Sequence, residues 1–277
     1  MYNVKTMQQA KDAGQKIVML TVYDFLSAQM AQAGGINYLL VGDSLGMVCL
    51  GYESTVSVTM ADMLHHLKAV KRGTKDGFIV ADMPFMSYYS SKTALSNAAL
   101  LMSEGGAQAV KLEGGSIFAP TVRDLVNNGV PVMGHLGLTP QSVNVLGGYK
   151  TQATDTKSAL RLMQDAITLQ EAGAFALVLE MIPAELAELV SKKLRIPTIG
   201  IGAGPHCDGQ VQVFGDLAGL FTAFQPLHTH RYASAFTDIK TGIEKYVSEV
   251  QNHLFPALSN YQTLNPQVLV EINDASF

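Results

Sequence analysis

The chain has too few cysteines and too little charge to belong to several large classes of protein. Only Cys49 and Cys207 occur among its 277 residues. They are too few for a disulfide framework and lack the spacing of a metal site, so each reads as a small hydrophobe. Charged residues make up only 15% and the net charge is −4. No stretch concentrates Lys and Arg, which excludes a nucleic-acid footprint or a membrane-surface patch. No apolar run approaches the ~18 residues that span a bilayer. The opening Met1-Tyr-Asn-Val-Lys-Thr-Met7 shows no basic stretch leading into a long apolar one, so no secretory signal is read there. Internal repeats, linkers and low-complexity segments are missing too. The expectation is a cytoplasmic protein without nucleic-acid or membrane partners.

What the chain does have is apolar material, 48% of its residues, arranged in alternation. Short β-rich runs alternate with longer amphipathic segments, the pattern of βα units and a parallel sheet. Candidate strands are Ile17 to Val22, Tyr38 to Gly42, Phe78 to Asp82, Ala107 to Glu113, Pro131 to Gly134, Phe175 to Glu180 and Pro197 to Ile201. A weaker one lies near Gly219 to Phe224. Their near-continuous hydrophobicity predicts burial on both faces. The count and order point to a (β/α)8 barrel, which routinely reaches this length as one domain.

Helix signals fit between the strands. Met60, Met63, Leu64, Leu67 and Val70 share one face, and Thr59 with Asp62 forms a capping pair. Pro183 is read as a first helical position, and Lys192, Lys193 and Arg195 close that helix. Phe236, Ile239, Ile243, Tyr246 and Val250 predict a last helix stopped by Pro256. Gln8 to Ala13 predicts a short helix across the barrel bottom. Residues 257–277 lose the alternation and read as an appended C-terminal tail lying on a neighbouring subunit.

Five of the strand runs stop at residues able to bind metal or move protons: Asp43 and Ser44, Asp82, Lys111 and Glu113, His135, and Glu180. In a (β/α)8 barrel these ends converge on one space at the C-terminal face. Lys111 and Glu113 have the same parity, so both point into the mouth, where the lysine requires an anion: Glu113 or a bound carboxylate. Asp43, Asp82 and Glu113 are hard oxygen donors suited to Mg2+, which could hold a 2-oxo acid through its keto and carboxylate oxygens. Glu180, set among Leu177, Val178, Leu179, Met181 and Ile182, is expected to be poorly solvated, with its pKa raised toward that of a general base. Each residue alone has a plainer reading: a helix cap for Asp43 or Ser44, a turn for Asp82, a structural histidine for His135. The set favours chemistry. Gly200-Ile-Gly202-Ala-Gly204 is neither a dinucleotide fingerprint nor a P-loop, and reads as a tight turn at the rim.

Several segments carry a family resemblance. They are Val41-Gly-Asp43-Ser44-Leu-Gly-Met47, Asp82-Met-Pro-Phe-Met86, Lys111-Leu-Glu113-Gly-Gly115, Gly134-His135-Leu-Gly-Leu-Thr-Pro-Gln-Ser-Val-Asn144, Gly147-Gly-Tyr-Lys150, Leu179-Glu180 and Gly200 to Gly204 with Asp208-Gly-Gln210. From about Val18 to Gly219 the chain resembles the ketopantoate hydroxymethyltransferases (3-methyl-2-oxobutanoate hydroxymethyltransferases). The resemblance implies a barrel of the phosphoenolpyruvate mutase/isocitrate lyase superfamily, assembled as a homodecamer. It implies one-carbon transfer from 5,10-methylenetetrahydrofolate to 3-methyl-2-oxobutanoate, giving 2-dehydropantoate on the way to pantothenate and coenzyme A. Carried onto matching positions, Asp43, Asp82 and Glu113 become the Mg2+ ligands. Ser44, Lys111 and His135, with Asp43 and Asp82 adjoining, contact the keto acid, and Glu180 transfers the proton. The chain departs from the family at Gln225-Pro-Leu-His-Thr-His230, at Thr151-Gln-Ala153, near Ser57, and in its longer tail. These departures bear on folate contacts and subunit packing. The alternatives are a Mg2+-dependent C–C or C–P lyase or mutase of the same superfamily acting on a small 2-oxo acid, and a non-catalytic protein that has kept the fold.

Overall fold

A computed structural model describes residues 2–222 and 226–275. The strands are β1 Ile17–Thr21, β2 Tyr38–Val41, β3 Phe78–Asp82, β4 Ala109–Glu113, β5 Val132–Gly137, β6 Ala176–Glu180, β7 Thr198–Ile201 and β8 Gly209–Val213. All pair in parallel and in sequence order, and β8 closes on β1. The helices up to the middle of the chain are α1 Val4–Asp12, α2 Phe25–Ala33, α3 Leu45–Val48, α4 Met60–Gly73, α5 Ser91–Ser103 and α6 Ala119–Asn127. There follow α7 Val143–Leu146, α8 Thr156–Glu171, α9 Ala184–Lys193, α10 Phe214–Ala218, α11 Ala235–Gln251 and α12 Pro266–Asp274.

Alternation along the strands sorts the core into two parts. Leu39, Val41, Ile79, Ala81, Val110 and Leu112 face the helices in one buried cluster. Ile17, Met19, Tyr38, Phe78, Val80 and Met133 fill the barrel itself. Met7 of α1 belongs to that inner cluster, so the leading helix plugs the bottom, starting earlier than expected under an Asn3 cap. The lower layers are apolar, and the polar residues lie one layer higher, at the strand ends. In α4, Thr59 N–H donates to Asp62 Oδ2 at 2.9 Å and Asp62 N–H to Thr59 Oγ1 at 3.2 Å. Met63, Leu67 and Val70 are its buried face. Pro183 is the N-cap residue of α9 and not its first helical position.

The eighth strand is not where the sequence suggested. It lies at Gly209–Val213, and Gly219 instead caps α10 in the left-handed region, with φ 68°; Phe224 falls outside the described residues. The return from β7 to β8 uses no helix. Asp208 anchors it by accepting from Thr198 N–H at 2.8 Å and pairing with Lys11 Nζ at 2.8 Å. The glycine-rich segment there is a packed turn, as expected. A Cβ on Gly202 would stand 2.6 Å from Met181 Sδ, and one on Gly204 would stand 2.4 Å from Ala184 Cβ.

The helix expected to be the last, α11, ends at Gln251, short of Pro256, and buries no residue. The appended tail contains the short turn Leu258–Asn260 and α12, both exposed. No helix of the described residues is long and apolar enough to cross a membrane.

Candidate active site

Parallel register brings the strand-end residues together in pairs. Asp82 on β3 lies beside Lys111 on β4, and Glu113 lies beside His135 on β5. Glu180 on β6 sits between Gly137 and Ile201. Asp43 follows β2, and its N–H donates to Asp82 Oδ2 at 3.1 Å. Asp43, Asp82, Lys111, Glu113 and His135 are all buried. Together with Ser44 and Glu180 they line a cavity of about 220 Å³, whose wall is completed by apolar residues such as Val178, Ile201 and Val211.

The lysine pairs with Asp82, whereas the sequence pointed to Glu113 or a bound carboxylate as its anion. Lys111 Nζ lies 2.9 Å from Asp82 Oδ1, although that oxygen has no directed hydrogen bond. Register explains the choice, because Glu113 stands two residues further up the same strand. His135 bridges two acids: Nδ1 is 3.4 Å from Glu113 Oε1 and Nε2 is 3.1 Å from Glu180 Oε2. Burial and Lys111 press the imidazole toward neutrality, but its bonds to Glu113 and Glu180 outweigh them and raise its pKa to about 9. Lys111 Nζ also stands 3.2 Å from His135 Nδ1. That nitrogen cannot both accept from Lys111 and donate to Glu113. Nε2 has no directed hydrogen bond, so Glu113 and Glu180 act on the ring as ion-pair partners.

The acids differ among themselves. Burial, with Asp82 and Glu113 close by, pushes Asp43 well above the usual carboxylate range. Burial also raises Asp82, against the pull of Lys111. Glu113 goes the other way, because the bond and charge of His135, with Lys111, overcome its burial. Like charges packed this closely cannot all ionise unaided. Lys111 is itself raised, since Asp82, Glu113 and Asp43 outweigh the cost of burying it.

Ser44 occupies the N-cap position of α3 but makes no cap bond with its side chain. Its Oγ lies 2.7 Å from the buried Tyr23 Oη, so the plain capping reading fails there. Glu180 is 17% exposed on its side chain, consistent with its apolar neighbours, and stays accessible from the cavity. Met181 after it has φ 48°, an uncommon conformation for a side-chain-bearing residue.

Two residues escaped the sequence reading. Gln141 and Tyr88 are buried and bonded to the acids or to each other. Neither ends a strand, so strand-end logic passes over them. The signal available was Gln141 itself, an amide inside Leu-Thr-Pro-Gln-Ser.

The donor set fits a hard divalent cation: three buried carboxylates, all oxygen donors, whose mutual repulsion a cation would relieve. Among the described residues no three His, Cys, Asp or Glu side chains already stand as a ready metal cage. Mg2+ is commonly held by one or two carboxylates plus water and substrate oxygens.

Solved structures define the class. A phosphonopyruvate hydrolase, solved in complex with oxalate and Mg2+, aligns with TM-score 0.62 over 99% of this chain and 96% of its own, at 10% identity. A 2,3-dimethylmalate lyase of the PEP mutase/isocitrate lyase superfamily aligns with TM-score 0.57 over 99% and 95%, at 17% identity. The fold is thus the (β/α)8 barrel found in that superfamily. The family model for ketopantoate hydroxymethyltransferase matches residues 1–258. A 3-methyl-2-oxobutanoate hydroxymethyltransferase of Carboxydothermus hydrogenoformans is 54% identical over 270 residues, 97% of this chain and 98% of that protein. One from Clostridium novyi is 51% identical over 267 residues, 96% and 97% respectively. The chain belongs to the ketopantoate hydroxymethyltransferase family.

Proposed function

We propose that this chain transfers a hydroxymethyl group from 5,10-methylenetetrahydrofolate to 3-methyl-2-oxobutanoate, giving 2-dehydropantoate for pantothenate and coenzyme A synthesis. The observation that carries the reading is Glu180 lying 3.1 Å from His135 Nε2, with His135 close to Glu113, at the edge of a cavity holding Asp43, Asp82 and Lys111. In this reading Asp43, Asp82 and Glu113 would hold Mg2+, which supplies Lewis-acid polarisation of the keto acid's oxygens.

The chain's own groups do the rest. Lys111, His135 and Ser44 orient the 2-oxo acid, with positive charge directed at its carboxylate and keto oxygens. Glu180 takes the proton from C3, while the His135 ring, with Nε2 3.1 Å from Oε2, steadies the carboxylate. The C3 electron pair forms the bond to the methylene carbon of the folate, water supplies the hydroxyl, and tetrahydrofolate leaves. The activated carbon belongs to the co-substrate; the protein contributes placement and charge. The same reading carries a homo-oligomer working in the cytoplasm, a decamer by family resemblance.

The test follows exchange at C3 of 3-methyl-2-oxobutanoate in D2O with Mg2+, before and after adding the folate. Exchange followed by 2-dehydropantoate is expected. Cleavage of a dicarboxylic acid without exchange here would favour the lyase reading. Glu180→Gln should cut exchange about 10²- to 10⁴-fold while leaving metal binding intact; normal turnover would transfer the base to another group.

A further inference from the structure

Gln141 lies in the 3-10 turn Pro140–Ser142 after β5 and is 5% exposed. It holds two of the three carboxylates at once. Its backbone N–H donates to Glu113 Oε2 at 3.0 Å, and its Nε2 donates to Asp43 Oδ2 at 2.8 Å. Nε2 also donates to the Met83 carbonyl at 2.9 Å. Tyr88 Oη donates to Gln141 Oε1 at 2.6 Å and stands 3.3 Å from the Glu113 carbonyl.

Only one orientation of this amide satisfies its neighbours. A carbonyl can only accept, so the group facing Met83 must be the NH2. Turned over, the amide would set oxygen against oxygen at both Met83 and Asp43. Tyr88 locks the other side, with its ring packed edge-on against Phe118 at 5.1 Å. Asp43 and Glu113 come from β2 and β4, which are not neighbours in the sheet, so backbone register does not couple them.

We propose that Gln141, locked by Tyr88, is a positioning residue that braces Asp43 against Glu113 in the orientation that receives the divalent cation. The proposal rests on the metal-assisted reading above. With Oδ2 of Asp43 turned to Gln141, Oδ1 is the oxygen left for other partners. Partners of metal ligands typically contribute about 10- to 100-fold in metal affinity.

The test titrates metal-free protein with Mn2+ as the probe, by electron paramagnetic resonance or calorimetry, with no turnover required. Gln141→Leu keeps the volume and the backbone N–H while removing the amide, and should weaken Mn2+ binding about 10- to 100-fold. Tyr88→Phe keeps the ring, removes the bond that anchors Gln141 Oε1, and should weaken binding in the same direction; it decides the matter if the first variant fails to fold. Thr74→Val removes a buried bond to the Val70 carbonyl near the start of β3. It should lower the melting temperature and leave Mn2+ affinity unchanged. Variants that bind Mn2+ like wild type, whatever their melting temperatures, overturn the proposal alone. Wild-type protein that takes up no Mn2+ overturns it together with the metal-assisted reading.

Discussion

His135 stands between Glu113 and Glu180, and both ion pairs depend on its being protonated. Its pKa, raised to about 9, makes that the state at neutral pH and ties stability to pH. Because the folded value lies above the ordinary 6.5, the stabilisation is fully present below about pH 6.5 and is lost as pH rises through about 9. Urea unfolding of wild type and His135→Gln at pH 6 and pH 10 measures this. The variant's deficit should shrink at high pH by an amount on the order of 3 kcal/mol. A deficit that does not change with pH would show that the imidazole is neutral in the folded chain. At this scale the sequence revealed which acids and bases gather, because each lies at or near the C-terminal end of a strand. It did not reveal who pairs with whom: Lys111 takes Asp82 through register, and Gln141 acts from a turn that carries no strand-end mark.

Element by element, the site depends on how closely β5 and β6 approach at their ends. Gly137 closes β5 with φ 96°, and a Cβ there would stand 2.1 Å from the Glu180 carbonyl oxygen. Beside it, Leu138 N–H donates to that same carbonyl at 2.8 Å. Gly137→Ala must therefore either strain its own backbone or push the end of β6, with Glu180, out of line. The expected cost is roughly 1–3 kcal/mol of stability. C3 exchange should fall about 100-fold, the scale of a 1 Å misplacement. Exchange at the wild-type rate would show that Glu180 tolerates the shift. Seven strands were legible because burial on both faces leaves long apolar runs. The eighth was not: Gly209-Gln-Val-Gln-Val213 alternates, with Gln210 and Gln212 on its outer side, and so lacks the mark of a doubly covered strand. The apolar run after α10 looked more like a strand, yet Gly219 turns the chain there.

At the scale of the whole molecule, that outer side of β8 is where a barrel should be covered and is not. Val18 on β1 is 56% exposed, and a groove runs past it, lined by Leu20, Ile36, Leu217 and Tyr232 together with Gln210 and Gln212. Meanwhile α11 holds Phe236, Ile239, Ile243, Tyr246 and Val250 out to solvent. On its surface it carries the pairs Lys240–Glu244 and Lys245–Glu249. An uncovered sheet face that mixes Val18 with Gln210 and Gln212, and an uncovered apolar helix stripe, leave apolar surface in one chain that a partner can bury. A second copy can satisfy both at once, reciprocally, as two-fold assembly requires. Burying such side chains is worth about 1.5–3 kcal/mol each, enough for several together to hold two subunits. Ile243→Glu combined with Tyr246→Glu should therefore lower the mass measured by light scattering at micromolar concentration. Far-ultraviolet circular dichroism should stay that of a folded barrel, since neither residue is buried in the single chain. If wild type already has the mass of a single chain, or if the doubly charged variant keeps the wild-type mass, the stripe on α11 makes no contact with a second copy.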